Sequence, residues 1–535
     1  IRLPRPLDFG AVTDHSEFLG EVALCTTKGS PAYDLDICKS YRKQNADSVV
    51  AFAAILSLEK PVRMSEVCGK GSKNCLDLAQ QRWQSIQVAA EDAYDRSENC
   101  SFVSFVGYEY TATPNVSNMH RNVIFRDGPE RAGHVVPFTT SPPTGSLNPR
   151  DLWAWMQNYE DISNGDVIAI PHNGNVSNGM MFPLQDDFAE GAPLDAAYAE
   201  GRLKWERLYE AVQIKGDGET HPLLSPDDEF ADFETWDYGN LDATEAKTPE
   251  MLPGEYVRSG LLRGMALEET LGANPFKVGL VGASDNHVGR TTPDNDNFFG
   301  KFTAYEPSPE RATHVSRRYA DGTVALNAWQ YITSGLTAVW AQENTRGAIF
   351  DAMERREAYA TTGPRMRVRF FGGWEFEDED ALSRNLATVG YSKGVPMGSD
   401  LPAGDGAPSF LVYALRDAMG ANLDRVQIIK LWLGADGSQN EKVYDVSWSD
   451  ERVPGSDGKL PPVGNTVDLS VPTWTNTIGS SELGGVWQDP DFDPEQRAAY
   501  YARVLEIPTP RWTAYETKRF GLNADVPMST QERAY

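Results

Sequence analysis

Histidine is scarce in this chain, with seven residues in 535, and cysteine is confined to the first hundred positions, leaving the remaining 435 without any. No CxxC pair occurs, which removes the commonest zinc-knuckle spacing. No uninterrupted apolar run is long enough to cross a bilayer, so a membrane-spanning helix is not expected. Basic residues are outnumbered: 49 Lys and Arg face 77 Asp and Glu, a net charge of -28. Phosphate backbones are held by clustered cations, so DNA and RNA are excluded as bulk partners. No fixed-period repeat and no low-complexity segment stands out.

What remains is a composition of ordinary globular kind, 40% hydrophobic and 24% charged. A chain of this length exceeds one ordinary core, so at least two domains are expected. The five cysteines are Cys25, Cys38, Cys68, Cys75 and Cys100. Cys25 with Cys38 and Cys68 with Cys75 each bracket a short loop, and disulfide pairing is favoured over zinc, with Cys100 left over. The chain opens Ile1-Arg2-Leu3-Pro4 with no basic segment leading into an apolar one, which reads as a processed or truncated start. Disulfides and acidity together point to a periplasmic or secreted location.

Apolar runs alternate with helical patterns along the first part of the chain. Leu7 to Thr13, Phe102 to Tyr110, Asn122 to Phe125, Val167 to Ile170, Leu208 to Ile214 and Val278 to Ala283 read as strands. Leu76 to Ala93, a Trp-rich stretch near Asp151 to Met156, and Tyr256 to Leu271 read as helices. This alternation predicts parallel βα units closed as a barrel, with the chemistry on the loops that follow the strands. Ala325 to Ser334 and Thr345 to Arg356 read as two further helices. Residues 366–535, in which short alternating segments lie between Gly, Pro and Asp-rich turns, read as a β-rich appended region without histidine.

Four of the seven histidines sit beside these apolar runs together with acids: Asp14 and His15, Glu109 with His120, His172, and Asp285 with His287. Asp285 and His287 are two apart, so extended backbone would point both to one face as ligands of one cluster. Glu109 is a carboxylate in a very apolar strand, where an unpaired charge is costly and cations would explain it. Neutral imidazoles mixed with carboxylates suit Zn, Mn or Fe better than Mg or Ca. Asp14 either ligates or orients a neighbouring histidine. Arg290, Lys215 and Arg258 are candidate anchors for a phosphate group of a small-molecule substrate. His134 and His314 lie in polar loops and read as structural, and His221 precedes Pro222.

The segments DFGAVTDHSEF, VGYEYT followed by HRNVIF, IPHNG and GASDNH, in that order, resemble the later motifs of the PHP (polymerase and histidinol phosphatase) superfamily, in its large bacterial branch long labelled a domain of unknown function. Gly335 to Arg365 resembles the same branch. The resemblance implies an α/β fold, a distorted (β/α)7 barrel over residues 1–365. It also implies two or three divalent transition metals at the strand ends, and phosphoester hydrolysis. By position, His15, Glu109, His120, His172, Asp285 and His287 would be ligands, with Asp14 beside them. Glu109 would bridge, and Glu109, Asp285 and His287 would stand at the reacting centre. The family's opening His-x-His has no match here, so that strand lies upstream of residue 1 or the site is depleted. An amidohydrolase-like enzyme of C-N or carboxyl ester bonds, and a binding protein with a vestigial site, are the alternatives.

Overall fold

The computed structural model describes residues 3–43, 52, 54–289, 292–302, 306–523 and 525–535. Its first sheet is built from strand β1 (Phe9–Ala11), β2 (Val103–Tyr110), β3 (Arg121–Phe125) and β4 (Val167–Pro171), hydrogen-bonded in that order. All eight residues of β2 are buried, as befits a strand of β-branched and aromatic side chains covered on both faces. The long helix α1 (Lys73–Ala93) covers one face through Trp83, whose ring meets Tyr108 edge-on and packs against Phe125.

β1 runs parallel to β2, but β3 is antiparallel to both β2 and β4, which corrects the expectation of uniformly parallel units. The reason is the connection. Only residues 111–120 join β2 to β3, too few for a crossover helix, so the chain must turn back. Helix α2 (Pro149–Ser163) then returns the chain to β4, and α3 (Ala196–Trp205) leads to β5 (Leu208–Gln213), which packs beside β4. A short hairpin partner, β6 (Gly216–Asp217), follows. Helix α4 (Val257–Leu271) is the crossover that lets β7 (Gly279–Gly282) run parallel to β5. Among the described residues these strands form open ladders of four and three strands.

Two further sheets pack face to face. One holds six strands: Leu336–Val339, Ala358–Thr361, Arg533–Ala534, Ala498–Glu506, Leu423–Leu433 and Gln439–Trp448. The other holds Gly394–Pro396, Arg367–Gly373, Ser409–Leu415 and Glu482–Gln488. Val368, Phe370, Phe410, Val412, Val426, Ile428 and Val504 fill the space between them. The six-stranded sheet draws strands from both sides of residue 365, and the chain's last residues return to the first region. Tyr535 exchanges backbone hydrogen bonds with Ala360, and its hydroxyl donates to Asp217 Oδ1 at 2.6 Å.

The expected helix at 325–334 is instead a strand, Val324–Asn327, followed by a 3-10 turn, Ala328–Gln330. It pairs with Val315–Arg318 across a turn at Asp321-Gly322, where Gly322 takes φ 85, so an Asp-Gly hairpin signal outweighs apolar spacing. The second expected helix is present as Arg346–Glu354, capped by the Thr345 side chain. Cys25–Cys38 and Cys68–Cys75 are disulfides and Cys100 is free. Among the described residues no helix is long and apolar enough to cross a membrane.

Candidate metal centre

The ends of β1, β2, β4, β5 and β7 and the start of β3 meet at one edge of the molecule. Reversal of β3 explains why His120 precedes its strand while His172 follows its own. Past β1 the chain stays in parallel register with β2: Glu109 N donates to Asp14 O at 2.9 Å and Ser16 N to Glu109 O at 3.1 Å. This pairing sets His15 beside Glu109. His172 N reaches His120 O at 3.4 Å, which joins the other two histidine segments.

Three imidazoles converge on a single oxygen. From Glu109 Oε1, His120 Nδ1 lies at 2.8 Å, His15 Nδ1 at 3.3 Å and His172 Nε2 at 3.8 Å. The Thr111 hydroxyl stands 2.6 Å from His15 Nδ1 and 3.3 Å from Glu109 Oε1, and Thr113 Oγ1 stands 3.1 Å from His120 Nε2. Glu109, His120 and His172 are buried, whereas the side chains of His15 and His287 are 41% and 32% exposed. The cluster therefore has a closed floor and opens past His15 and His287. The His287 ring lies 5.2 Å from that of His15, edge to face.

Electrostatics set the charge of this floor. Burial alone would raise Glu109, but His15 and His120 outweigh it and hold the carboxylate well below its usual range. Burial lowers His120, and His172 well below the usual imidazole value, which keeps their nitrogens neutral. For His15, burial is outweighed by attraction and hydrogen bonding to Glu109, so its pKa rises. Asn122 Nδ2 is 3.3 Å from His172 Nδ1 while Asn122 Oδ1 is buried without a partner. With the amide turned so that the oxygen faces the ring, His172 carries its proton on Nδ1 and directs the Nε2 lone pair at Glu109. Three imidazoles, one carboxylate and an orphaned oxygen that would fix a ligand tautomer fit one borderline divalent cation.

Asp285 and His287 reach the same cluster by a different route from the one expected. Asp285 has φ 45, in the left-handed region that Asp tolerates, so the segment is a turn and not extended backbone. Asp285 Oδ1 lies 3.2 Å from His287 Nε2. Lys215, one of the predicted anchors, contacts Asp285 Oδ2 directly. Lys301, Gln213, Glu17 and Glu210 were not foreseen. Gln213 Nε2 and Lys301 Nζ also reach Asp285 Oδ2, at 3.0 and 2.9 Å. Burial lowers both lysines, Lys301 to about 7, and raises Glu210 to about 8 and Glu17 to about 7. A polar residue two positions before Lys215, on the same strand face, was a readable signal for Gln213; nothing local marked Lys301.

Asp14 is exposed, and among the described residues no hydrogen bond or ion pair ties its carboxylate to the cluster; its carbonyl does the positioning. Arg258 is not brought to the cluster either. It is fully buried between Glu219 Oε1 at 2.6 Å and Asp228 Oδ2 at 2.9 Å, so its guanidinium is spent on packing α4 against the β-rich sheets. Arg290 lies outside the described residues.

Fold and site thus define a mixed α/β protein with a histidine–carboxylate cluster on its strand ends. The chain belongs to the family described as "Protein of unknown function (DUF3604)", whose model matches residues 1–535. No curated protein and no solved structure matches it.

Proposed function

We propose that this chain is a metal-dependent hydrolase of PHP type, a distorted (β/α)7 barrel that cleaves the phosphate ester of a small molecule outside the cytoplasm. The observation that carries the reading is the convergence of His15, His120 and His172 on Glu109 Oε1. These four residues would hold the cation. A divalent ion of the Mn, Zn or Fe class supplies Lewis acidity when bound. The chain's own groups do the rest. Thr111 and Asn122 orient Glu109, His15 and His172, and Lys215 and Lys301 hold Asp285 in place beside them. The buried floor keeps bulk water off the far side of the ligands. No serine or cysteine nucleophile is required. The two disulfides suit an oxidising compartment.

Elemental analysis of purified protein, with and without His120→Ala and Glu109→Gln, tests this reading alongside turnover of a phosphomonoester and an amide. Bound metal should fall at least tenfold in both variants, and phosphomonoester turnover should fall with it. Unchanged metal content in both variants would sink the idea, and turnover of the amide alone would move the activity to the amidohydrolase class.

A further inference from the structure

The segment 292–302 is attached at both ends, to different parts of the molecule. At the cluster end its backbone is tied to the turn of Asp285 and His287: His287 N donates to Lys301 O at 3.0 Å, and the Asn286 side-chain amide donates to Gly300 O at 2.7 Å. At the other end Asn295 is held by C-terminal elements. Its Oδ1 accepts from Trp512 N, at the head of the helix Trp512–Phe520, at 2.8 Å, and its Nδ2 donates to Glu532 Oε1 at 2.7 Å.

A backbone N–H can only donate, so Trp512 fixes which way the amide faces and leaves the Asn295 nitrogen for the Glu532 carboxyl group. Alanine meets neither demand. Glu532 is itself buried and anchored, with Oε2 taken by the Thr362 hydroxyl and its carbonyl accepting from Glu506 N at 2.9 Å. The space left beside the Asn295 amide is about 10 Å3, room for one water at most. Between its two ends the segment is stiffened. Phe298 lies against Trp512 with ring centroids 4.9 Å apart, and Phe299 N donates to Thr292 Oγ1 at 3.1 Å. The Arg311 guanidinium covers both of those rings and donates to Phe298 O at 3.2 Å. A displacement at Asn295 is therefore passed to Lys301 and, through the two bonds at the cluster end, to His287, whose ring stands edge-on to His15 at the mouth.

We propose that Asn295 is a positioning residue for the metal centre: by bridging Trp512 and Glu532 it seats the segment 292–302 on the C-terminal elements and so sets where His287 and Lys301 stand at the mouth of the cluster. The β-rich region is then part of how the site is built. The effect on turnover rests on the hydrolase reading above, whereas the effect on the segment does not.

The test is amide hydrogen exchange of the whole chain, read by mass spectrometry, together with bound metal and phosphomonoester turnover. In Asn295→Ala the peptides that cover Asp285 to His287 and Gly300 to Phe302 should exchange about tenfold faster, through loss of the two buried hydrogen bonds. The strand Val103–Tyr110 should exchange as in wild type. Bound metal should stay at the wild-type level, because His15, Glu109, His120 and His172 lie off the segment, while turnover should fall about tenfold through misplacement of the mouth. Glu532→Ala should reproduce these effects. Glu532→Gln keeps an oxygen for Asn295 and lets the Thr362 hydroxyl accept instead of donate, so it should stay within about twofold of wild type. Unchanged exchange in both alanine variants would overturn the proposal, as would faster exchange that extends to β2, an equal defect in Glu532→Gln, loss of metal along with turnover, or full turnover in Asn295→Ala. Wild type without turnover would remove the hydrolase reading, and exchange in Asn295→Ala would still decide this one. If Glu532→Ala does not fold, Asn295→Ala against Glu532→Gln decides.

Discussion

Arg503→Met should be among the most damaging single changes in the protein, although it lies outside the candidate metal centre. Arg503 comes from the strand Ala498–Glu506, and its side chain is fully buried. Its guanidinium reaches Glu219 Oε2 at 3.2 Å, Asp228 Oδ1 at 2.7 Å and Gln427 Oε1 at 2.8 Å. Arg258 grips the same two carboxylates from α4, and the Tyr501 hydroxyl donates to Glu219. Both acids are 1% exposed, so removing one arginine leaves two buried carboxylates sharing one guanidinium. Breaking a buried pair from one side costs about 3–5 kcal/mol, and the methionine stem returns about 1 kcal/mol of apolar burial. With an unfolding entropy of about 2 cal/mol/K per residue over 535 residues, a net loss of about 3 kcal/mol corresponds to melting roughly 2–4 °C lower by calorimetry. Arg503→Lys should fall between, because an ammonium cannot fork to two partners. The pH profile gives an independent check. Burial would raise Asp228, yet Arg503 and Arg258 hold it far below the carboxylate range. Its folded pKa is depressed, so its contribution is present above the unfolded value of about 4 and is lost as pH falls through the folded value. Wild type should therefore lose stability on going from pH 5 to pH 3, and Arg503→Met should lose less. A variant that melts within about 1 °C of wild type, with an unchanged acid limb, would refute the reasoning.

Glu532 carries the opposite sign. Burial raises its carboxyl to about 7, despite hydrogen bonds from Thr362 and Asn295, so its stabilising effect is full below the unfolded pKa and is lost as pH rises towards 7. The change spans roughly 3 kcal/mol, and melting of wild type should decline between pH 5 and 7.5 more steeply than that of Glu532→Gln; parallel profiles would contradict this. Gly20 lies in the helix Leu19–Thr26, where alanine ordinarily gains about 1 kcal/mol. A Cβ there would sit 2.0 Å from Cys75 O, a backbone atom held in α1, so Gly20→Ala should instead destabilise by about 1–3 kcal/mol. Thermal melting decides the sign, and a rise would show that the two helices can part freely.

The parts of the site that could be read from the sequence are those whose role is set within a few residues. Glu109, His120 and His172 each adjoin or sit within a buried strand and His15 follows the half-exposed β1, and apolar patterning reveals strands even where it misjudges direction, as at β3. Asp285 and His287 were expected on one face of extended backbone, whereas a left-handed turn at Asp285 brings their side chains to 3.2 Å. The Asp-Gly hairpin at residues 321–322 was equally local and was masked by apolar spacing. Arginine and lysine behave differently because a long side chain takes its role from whatever acid it reaches. Arg258 and Lys215 looked alike as candidate anchors, yet Arg258 belongs to acids 30 to 39 residues back and to a strand more than 200 residues ahead, while Lys215 meets an acid 70 residues on. Lys301 had no distinguishing neighbours at all, and its acceptors lie 14 and 16 residues away across a turn. Imidazoles and carboxylates on strand ends can thus be placed from pattern alone, whereas the lysines that join such a cluster become visible only once the chain is folded.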